Sequence, residues 1–320
     1  MRIRAGFEIT YDCPAPISAV VTLNVHPDRR GDLETPDTLS VSNFTRMSQY
    51  VDGFGNICSR VTLPGGPSTF SSDFTIFDSG EPDEVRPDAP LTPVDALPDE
   101  VMVYLLGSRY CETDRMSPLA WALFGNLPET WARVQAIVDY THNRIAFGYQ
   151  HARATRTGWE AHEERLGVCR DYAHLAITLC RCMNIPARYC TGYLGDIGIP
   201  PVDAPMDFSA WFEAFIGGRW YTFDARHNTP RIGRVLIARG RDATDAAITT
   251  SYGLAAAGKI YRGDGRSSGQ TRCRRLTSAP KFPMHEDGPP LWSRKIAAGA
   301  FPPVLCYQIR GEDRGRRRNP

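Results

Sequence analysis

Cys169 stands in the run G-V-C-R-D-Y-A-H-L over residues 167–175. Downstream of it, Ala173, Ala176, Cys180 and Met183 recur at helical spacing, and Asn184 before Ile185-Pro186 supplies a stop. The spacing therefore predicts a buried helix with Cys169 in its first turn. The N-terminus of a helix carries partial positive charge and unsatisfied N–H groups, which stabilise a thiolate and lower its pKa. The same N–H groups can hold the oxyanion that forms when a thiolate attacks an acyl carbon.

The elements around this position are legible from periodicity. A strand is predicted over 187–193, followed by a Gly/Pro-rich loop to residue 205. Strands over 208–216 and 219–225 are joined by Gly217-Gly218, a hairpin signal. Upstream, Trp131, Val134, Val138, Thr141 and Ile145 share one helical face, with Pro128 predicted in the first turn. Earlier still, residues 2–10 alternate apolar and polar, and short β-rich runs follow at 17–25, 38–44, 58–63 and 68–77. Strands with turn punctuation and no helical period predict an antiparallel β-sandwich.

With these elements in place, four motifs resemble one family. G-V-C-R-D-Y-A-H-L, A-R-Y-C-T-G-Y, S-A-W-F-E-A-F and R-W-Y-T-F-D-A are similar, in order and spacing, to the transglutaminase-like superfamily. The β-rich N-terminus resembles the extra domain of many bacterial members. The resemblance covers residues 1–253 and implies a papain-like α+β fold with a Cys, His, Asp catalytic order. On it, Cys169 matches the nucleophile and Asp224 the orienting carboxylate. It implies thioester chemistry on amide bonds of peptides or proteins, with hydrolysis expected ahead of cross-linking, and no cofactor.

One departure matters. The family's base lies in a His-Ala-Trp motif, where this chain has Ser209-Ala210-Trp211. A serine hydroxyl cannot carry a proton as an imidazole does near neutral pH. Three readings stay open. His227, three residues beyond Asp224, supplies the base; the domain is an inactive peptide- or protein-binding module; or Cys169 reacts without a base, aided by the helix terminus and Arg170.

Other polar residues have plainer readings. His174 is five residues after Cys169, about 140° around the helix, and reads as packing. Asp171 supports the helix start. The spacing of Cys180, Cys182 and Cys190 does not match a paired zinc site, and no metal is expected. Trp159, Trp211 and Trp220 read first as core. In 231–245, Arg239 and Arg241 face either a substrate carboxylate or Asp242 and Asp245.

Bulk composition bounds the rest. The chain has 320 residues, 42% hydrophobic and 23% charged, with a net charge of +1. That balance gives no support for nucleic-acid binding beyond a basic C-terminal stretch. No phosphate-cradling glycine motif occurs. The absence of a long apolar run argues against a membrane span, and that of an apolar leader, with nine cysteines, predicts a reduced, cytoplasmic protein. The expected organisation is a β-sandwich over 1–79, a Pro-rich linker over 80–100, a transglutaminase-like domain over 101–253 and an irregular basic tail over 254–320. The oligomeric state is not legible.

Overall fold

The computed structural model describes residues 1–200, 208–257 and 310–311. It is an α+β structure whose three larger sheets are wholly antiparallel. The expected irregular tail lies, apart from residues 254–257 and 310–311, outside the described residues.

Two sheets come mainly from the N-terminal part. The long strands β1 (Arg2–Cys13) and β6 (Gly66–Phe77) pair along their whole lengths. β3 (Ser40–Val41) continues that sheet beyond β6. The second sheet joins β2 (Ile17–Val21), β4 (Arg46–Val51) and β5 (Ile57–Leu63). In β1 the apolar residues Ile3, Ala5, Phe7, Ile9 and Tyr11 are buried, as period-two patterning requires.

Four helices follow: α1 (Thr113–Phe124), α2 (Trp131–Arg144), α3 (Gly158–Glu164) and α4 (Cys169–Cys182). α1 escapes sequence reading because Pro118 sits inside it, a residue that ordinarily breaks a helix. α2 starts later than expected. Pro128 lies outside it, and the Thr130 hydroxyl accepts the Ala132 N–H at 3.3 Å as its cap. The predicted face of α2 is buried as expected. Between helices, the short strands β7 (Ala146–Phe147) and β8 (Leu166–Gly167) pair in parallel.

The third sheet packs against α4. Its order is β11 (Arg219–Phe223), β10 (Ser209–Ile216), β9 (Ala187–Tyr193) and β12 (Val235–Gly240). The hairpin turn holds Gly217 and Gly218 at φ +57° and +81°, conformations that a side chain would strain. β12 escapes the sequence reading, because Arg239 within it and Arg234 and Arg241 at its ends mask a strand that is buried along most of its length.

The chain then returns to the N-terminal sheets. β13 (Thr249–Tyr252) pairs with β2, and β14 (Ala256–Ala257) and β15 (Arg310–Gly311) pair with β1. One apolar core runs from Ile3 to Ala246. Its joint is aromatic, with Phe7 on Phe208 at 6.0 Å and Phe74 on Tyr193 at 5.6 Å between ring centroids. The Pro-rich stretch lies along the third sheet, where Leu91 bridges Ile216 and Leu97 and Val101 pack on Phe215. Among the described residues no helix is long and apolar enough to cross a membrane.

Candidate active site

The start of α4 is held by one buried carboxylate. Asp171, fully buried, accepts the Val168 N–H at 2.9 Å and Arg156 Nη1 at 3.0 Å through Oδ2. Arg170 Nη2 reaches Oδ1 at 3.2 Å. These bonds satisfy a helix-start donor and set the direction of the first turn. Gly167 is needed for the same reason: a Cβ there would stand 2.7 Å from Asp171 Cβ. Cys169 follows, 9% exposed, at the rim of the core. Burial, and next the charge of Cys169, push the Tyr189 phenol of β9 well above its ordinary value.

Arg170 is already committed. Its guanidinium donates to the carbonyls of Arg153 and Ala154, pairs with Asp171 and lies over the Tyr110 ring. Its charge serves the helix start.

Asp224 and His227 lie just past the end of β11, in a turn that closes through the Asn228 N–H to Asp224 O at 2.8 Å. Asn228 takes a left-handed φ of +51°, which Asn tolerates better than most residues. The Asp224 carboxylate is almost fully used. Oδ1 accepts the N–H groups of Arg226 and His227, both at 3.0 Å. Oδ2 faces His227 Nδ1 at 2.8 Å and accepts Arg234 Nη2 at 2.9 Å. Burial would raise this carboxyl, but Arg234 and the His227 bonds outweigh it and hold it well below the usual carboxylate range. An ionised carboxylate only accepts, so His227 Nδ1 is the donor in this contact.

Four contacts hold this turn, three to α2 and one to Phe147 of β7. His142 Nδ1 of α2 donates to Ala225 O at 3.1 Å. Asn228 meets Gln135 and Asp139 of α2, both at 3.0 Å. The Arg226 guanidinium lies 3.8 Å from the centre of the Phe147 ring, and Phe147 pairs with Gly167, two residues before Cys169.

Ser209 opens β10, opposite Gly192 of β9. It is buried, and its hydroxyl has no hydrogen-bond partner among the described residues. Along β10, Ala210, Phe212, Ala214 and Ile216 join the core around α4, while Trp211 packs with Cys190 and Leu236. Phe212 pairs with Phe223, so the next position, Asp224, shares a face with Trp211. Arg234 touches both, lying 5.0 Å over the Trp211 ring.

The remaining sequence candidates sit away from this geometry. His174 is fully buried, stacks on Tyr110 at 4.9 Å, and its Nε2 accepts the Ala243 N–H at 3.1 Å. Burial drives its pKa down, so it is a neutral core residue. Cys180 and Cys190 are fully buried thiols, and burial raises both pKa values. Arg239 pairs with Asp28 and Glu213, and Arg241 with Asp245. Trp220 packs in a cluster with Phe215, and Trp159 lies under Arg115. Among the described residues no group of three or more His, Cys, Asp or Glu is placed to hold a metal.

A cleft of about 200 Å³ opens next to Asp224, lined by Trp131, Gln135, Phe223 and Asn228 among others. Cys169 does not line it, so it is not the place where an acyl group would meet the thiol. Sequence reasoning missed Arg234 and its partner Asp83. Neither carries a motif, and one sits among several arginines, the other in a Pro-rich stretch.

The comparisons with known proteins agree with this architecture. The family profile described as "Transglutaminase-like superfamily" matches residues 120–225. The uncharacterized protein ML0607 of Mycobacterium leprae is 35% identical over 98 residues, 28% of this chain and 33% of that protein. The match thus spans about a third of that relative's length. A crystal structure of a candidate cysteine protease from Cytophaga hutchinsonii is 30% identical, with a TM-score of 0.70 over 82% of this chain and 89% of that one. With that relative matched along most of both chains, and with Cys169 opening a helix packed on an antiparallel sheet, the chain belongs to the transglutaminase-like superfamily.

Proposed function

We propose that the protein is a cysteine amidase acting on peptide or protein amides, with Cys169 as nucleophile, His227 as base and Asp224 as the carboxylate that orients it. The observation that carries this reading is the 2.8 Å contact between His227 Nδ1 and Asp224 Oδ2, in a turn docked beside the start of α4. Asp224 fixes the proton on Nδ1, which leaves Nε2 able to take the proton of the Cys169 thiol.

The sequence of steps then balances. The Cys169 sulfur attacks the amide carbon while His227 Nε2 takes the thiol proton. First-turn N–H groups of α4 stabilise the oxyanion. Collapse breaks the C–N bond, His227 returns its proton to the leaving amine, and a thioester remains. Water, deprotonated by His227, attacks the thioester. The acid leaves and the thiol is restored. An amine in place of water would give transfer, and we place hydrolysis first because it is the commoner expectation for a bacterial member. The seven described cysteines are free thiols, which suits a reducing compartment such as the cytoplasm.

A second reading is supported by Ser209. A buried hydroxyl stands where the family has its histidine, as it would in a module that kept the fold for binding and lost the chemistry. Incubating the protein with a fluorogenic peptide-amide library separates the two. Turnover that disappears in Cys169→Ser supports the amidase, whereas peptide binding without turnover supports the module.

A further inference from the structure

Arg234, just ahead of β12, has its side chain only 9% exposed. A guanidinium taken out of water needs carboxylates around it, and here it has two. Nη2 donates to Asp224 Oδ2 at 2.9 Å, and Nε faces both oxygens of Asp83 at 3.0 Å. Asp83 is itself fastened to the chain ahead of β12. It accepts the Arg231 N–H at 2.9 Å, and its own N–H donates to Arg231 O at 2.9 Å. Asp83, Arg234, Asp224 and His227 therefore form one line of contacts, from the Pro-rich stretch to the imidazole.

We propose that Arg234 is the positioning residue of the His227–Asp224 pair and that Asp83 is the anchor that holds Arg234 in place. The inference rests on the reading of His227 as the base.

Two physical effects follow from the geometry. The first is orientation. The terminal torsion of an aspartate is broad and roughly two-fold, so an unsupported carboxylate could turn away from the imidazole. With Oδ1 on two backbone N–H groups and Oδ2 shared by His227 and Arg234, turning Asp224 would break four bonds. The second is charge. Asp224 favours a proton on His227, whereas Arg234, a permanent cation on the same oxygen, opposes it. Asp83 offsets part of the Arg234 charge. Arg226 in the turn, Arg231 ahead of β12, and His142 and Asp139 of α2 also face this turn. Of these nearby groups, only Arg234 bonds the carboxylate through its side chain.

The charges give the test two opposite signs. In full-length protein, the His227 imidazole would be followed by NMR titration, assigned through His227→Gln, alongside pH profiles of kcat and KM on the peptide-amide library. Arg234→Met removes the opposing cation. The His227 titration should move to higher pH, and kcat should fall about 10²-fold with KM little changed. Asp83→Asn exposes more of the Arg234 charge, and the titration should move to lower pH. Arg234→Lys keeps the charge without the fork, so the titration should stay while kcat falls. If Arg234→Met and Asp83→Asn both fold, by circular dichroism, and leave the His227 titration where it is, the proposal is overturned and Arg234 is a structural ion pair. If Arg234→Met does not fold, the sign of the Asp83→Asn shift decides in its place. A parent protein with no amide turnover would remove the amidase reading, while the two titrations would still decide the part of Arg234.

Discussion

His227 Nδ1 lies 2.8 Å from Asp224 Oδ2, three residues away along one turn beyond β11. The imidazole is about a quarter exposed while the carboxylate is buried, which is the asymmetry a base and its orienting partner require.

Replacing Cys169 should be decisive. Cys169→Ser is expected to lower kcat by about 10³-fold or more, because the hydroxyl of serine is a far weaker nucleophile at neutral pH. Peptide-resolved iodoacetamide labelling across pH 4 to 10 gives the independent reading. Rapid labelling at or below neutral pH is expected for a thiolate at a helix start. The pH profile of an ordinary thiol, near 8.5, would favour the binding module.

The place of the base is tested by a pair of changes. His227→Ala should lower turnover by about 10²- to 10⁴-fold. Ser209→His should leave a buried imidazole where no hydrogen-bond partner is available to the present hydroxyl, and should not raise activity in the parent protein. A gain of turnover in Ser209→His would mean that the site was silent for want of a histidine at that position.

Acid stability should depend on His174. Burial and, after it, the charge of Arg170 depress its folded pKa well below the ordinary histidine value of about 6.5. The unfolded chain therefore binds a proton that the folded one does not, over the window just below 6.5. Stability is full above that value and is lost as pH falls through it, by at most about 1.4 kcal/mol per pH unit. In His174→Gln, urea midpoints measured from pH 7 to pH 4 should fall less steeply than in the parent. Parallel curves would refute this.

The start of α4 predicts a cost for one methyl group. In Gly167→Ala the new Cβ would meet Asp171 Cβ at 2.7 Å, forcing apart the cap and the turn that carries Cys169. A loss of about 1–3 kcal/mol is expected, with Cys169 labelling slowed near neutral pH. Chemical denaturation and the labelling rate together check it. An unchanged midpoint would show that the turn relaxes without cost.

Much of this protein is written in local pattern. Apolar alternation in β1, the Gly217-Gly218 turn and the stop at Asn184-Ile185-Pro186 each depend on neighbours a few residues away. The strands, the hairpin and α4 are legible for that reason. So is the start of α4 at Cys169, since helix periodicity and the preceding Gly167 mark it. Pro118 hid α1, and the arginines in and beside β12 (Arg234, Arg239 and Arg241) hid a strand, because in both cases tertiary packing overrides a local signal.

The wiring of the candidate site was decided only in three dimensions. Asp83 and Arg234 are 151 positions apart along the chain, and Arg234 and Asp224 are 10 apart. No spacing rule joins them. They meet because the Pro-rich stretch runs along the third sheet and β12 lies on its far edge, bringing one cation between two carboxylates. Ion pairs between distant segments carry no periodicity, so burial and charge compensation could specify them only once the fold had closed.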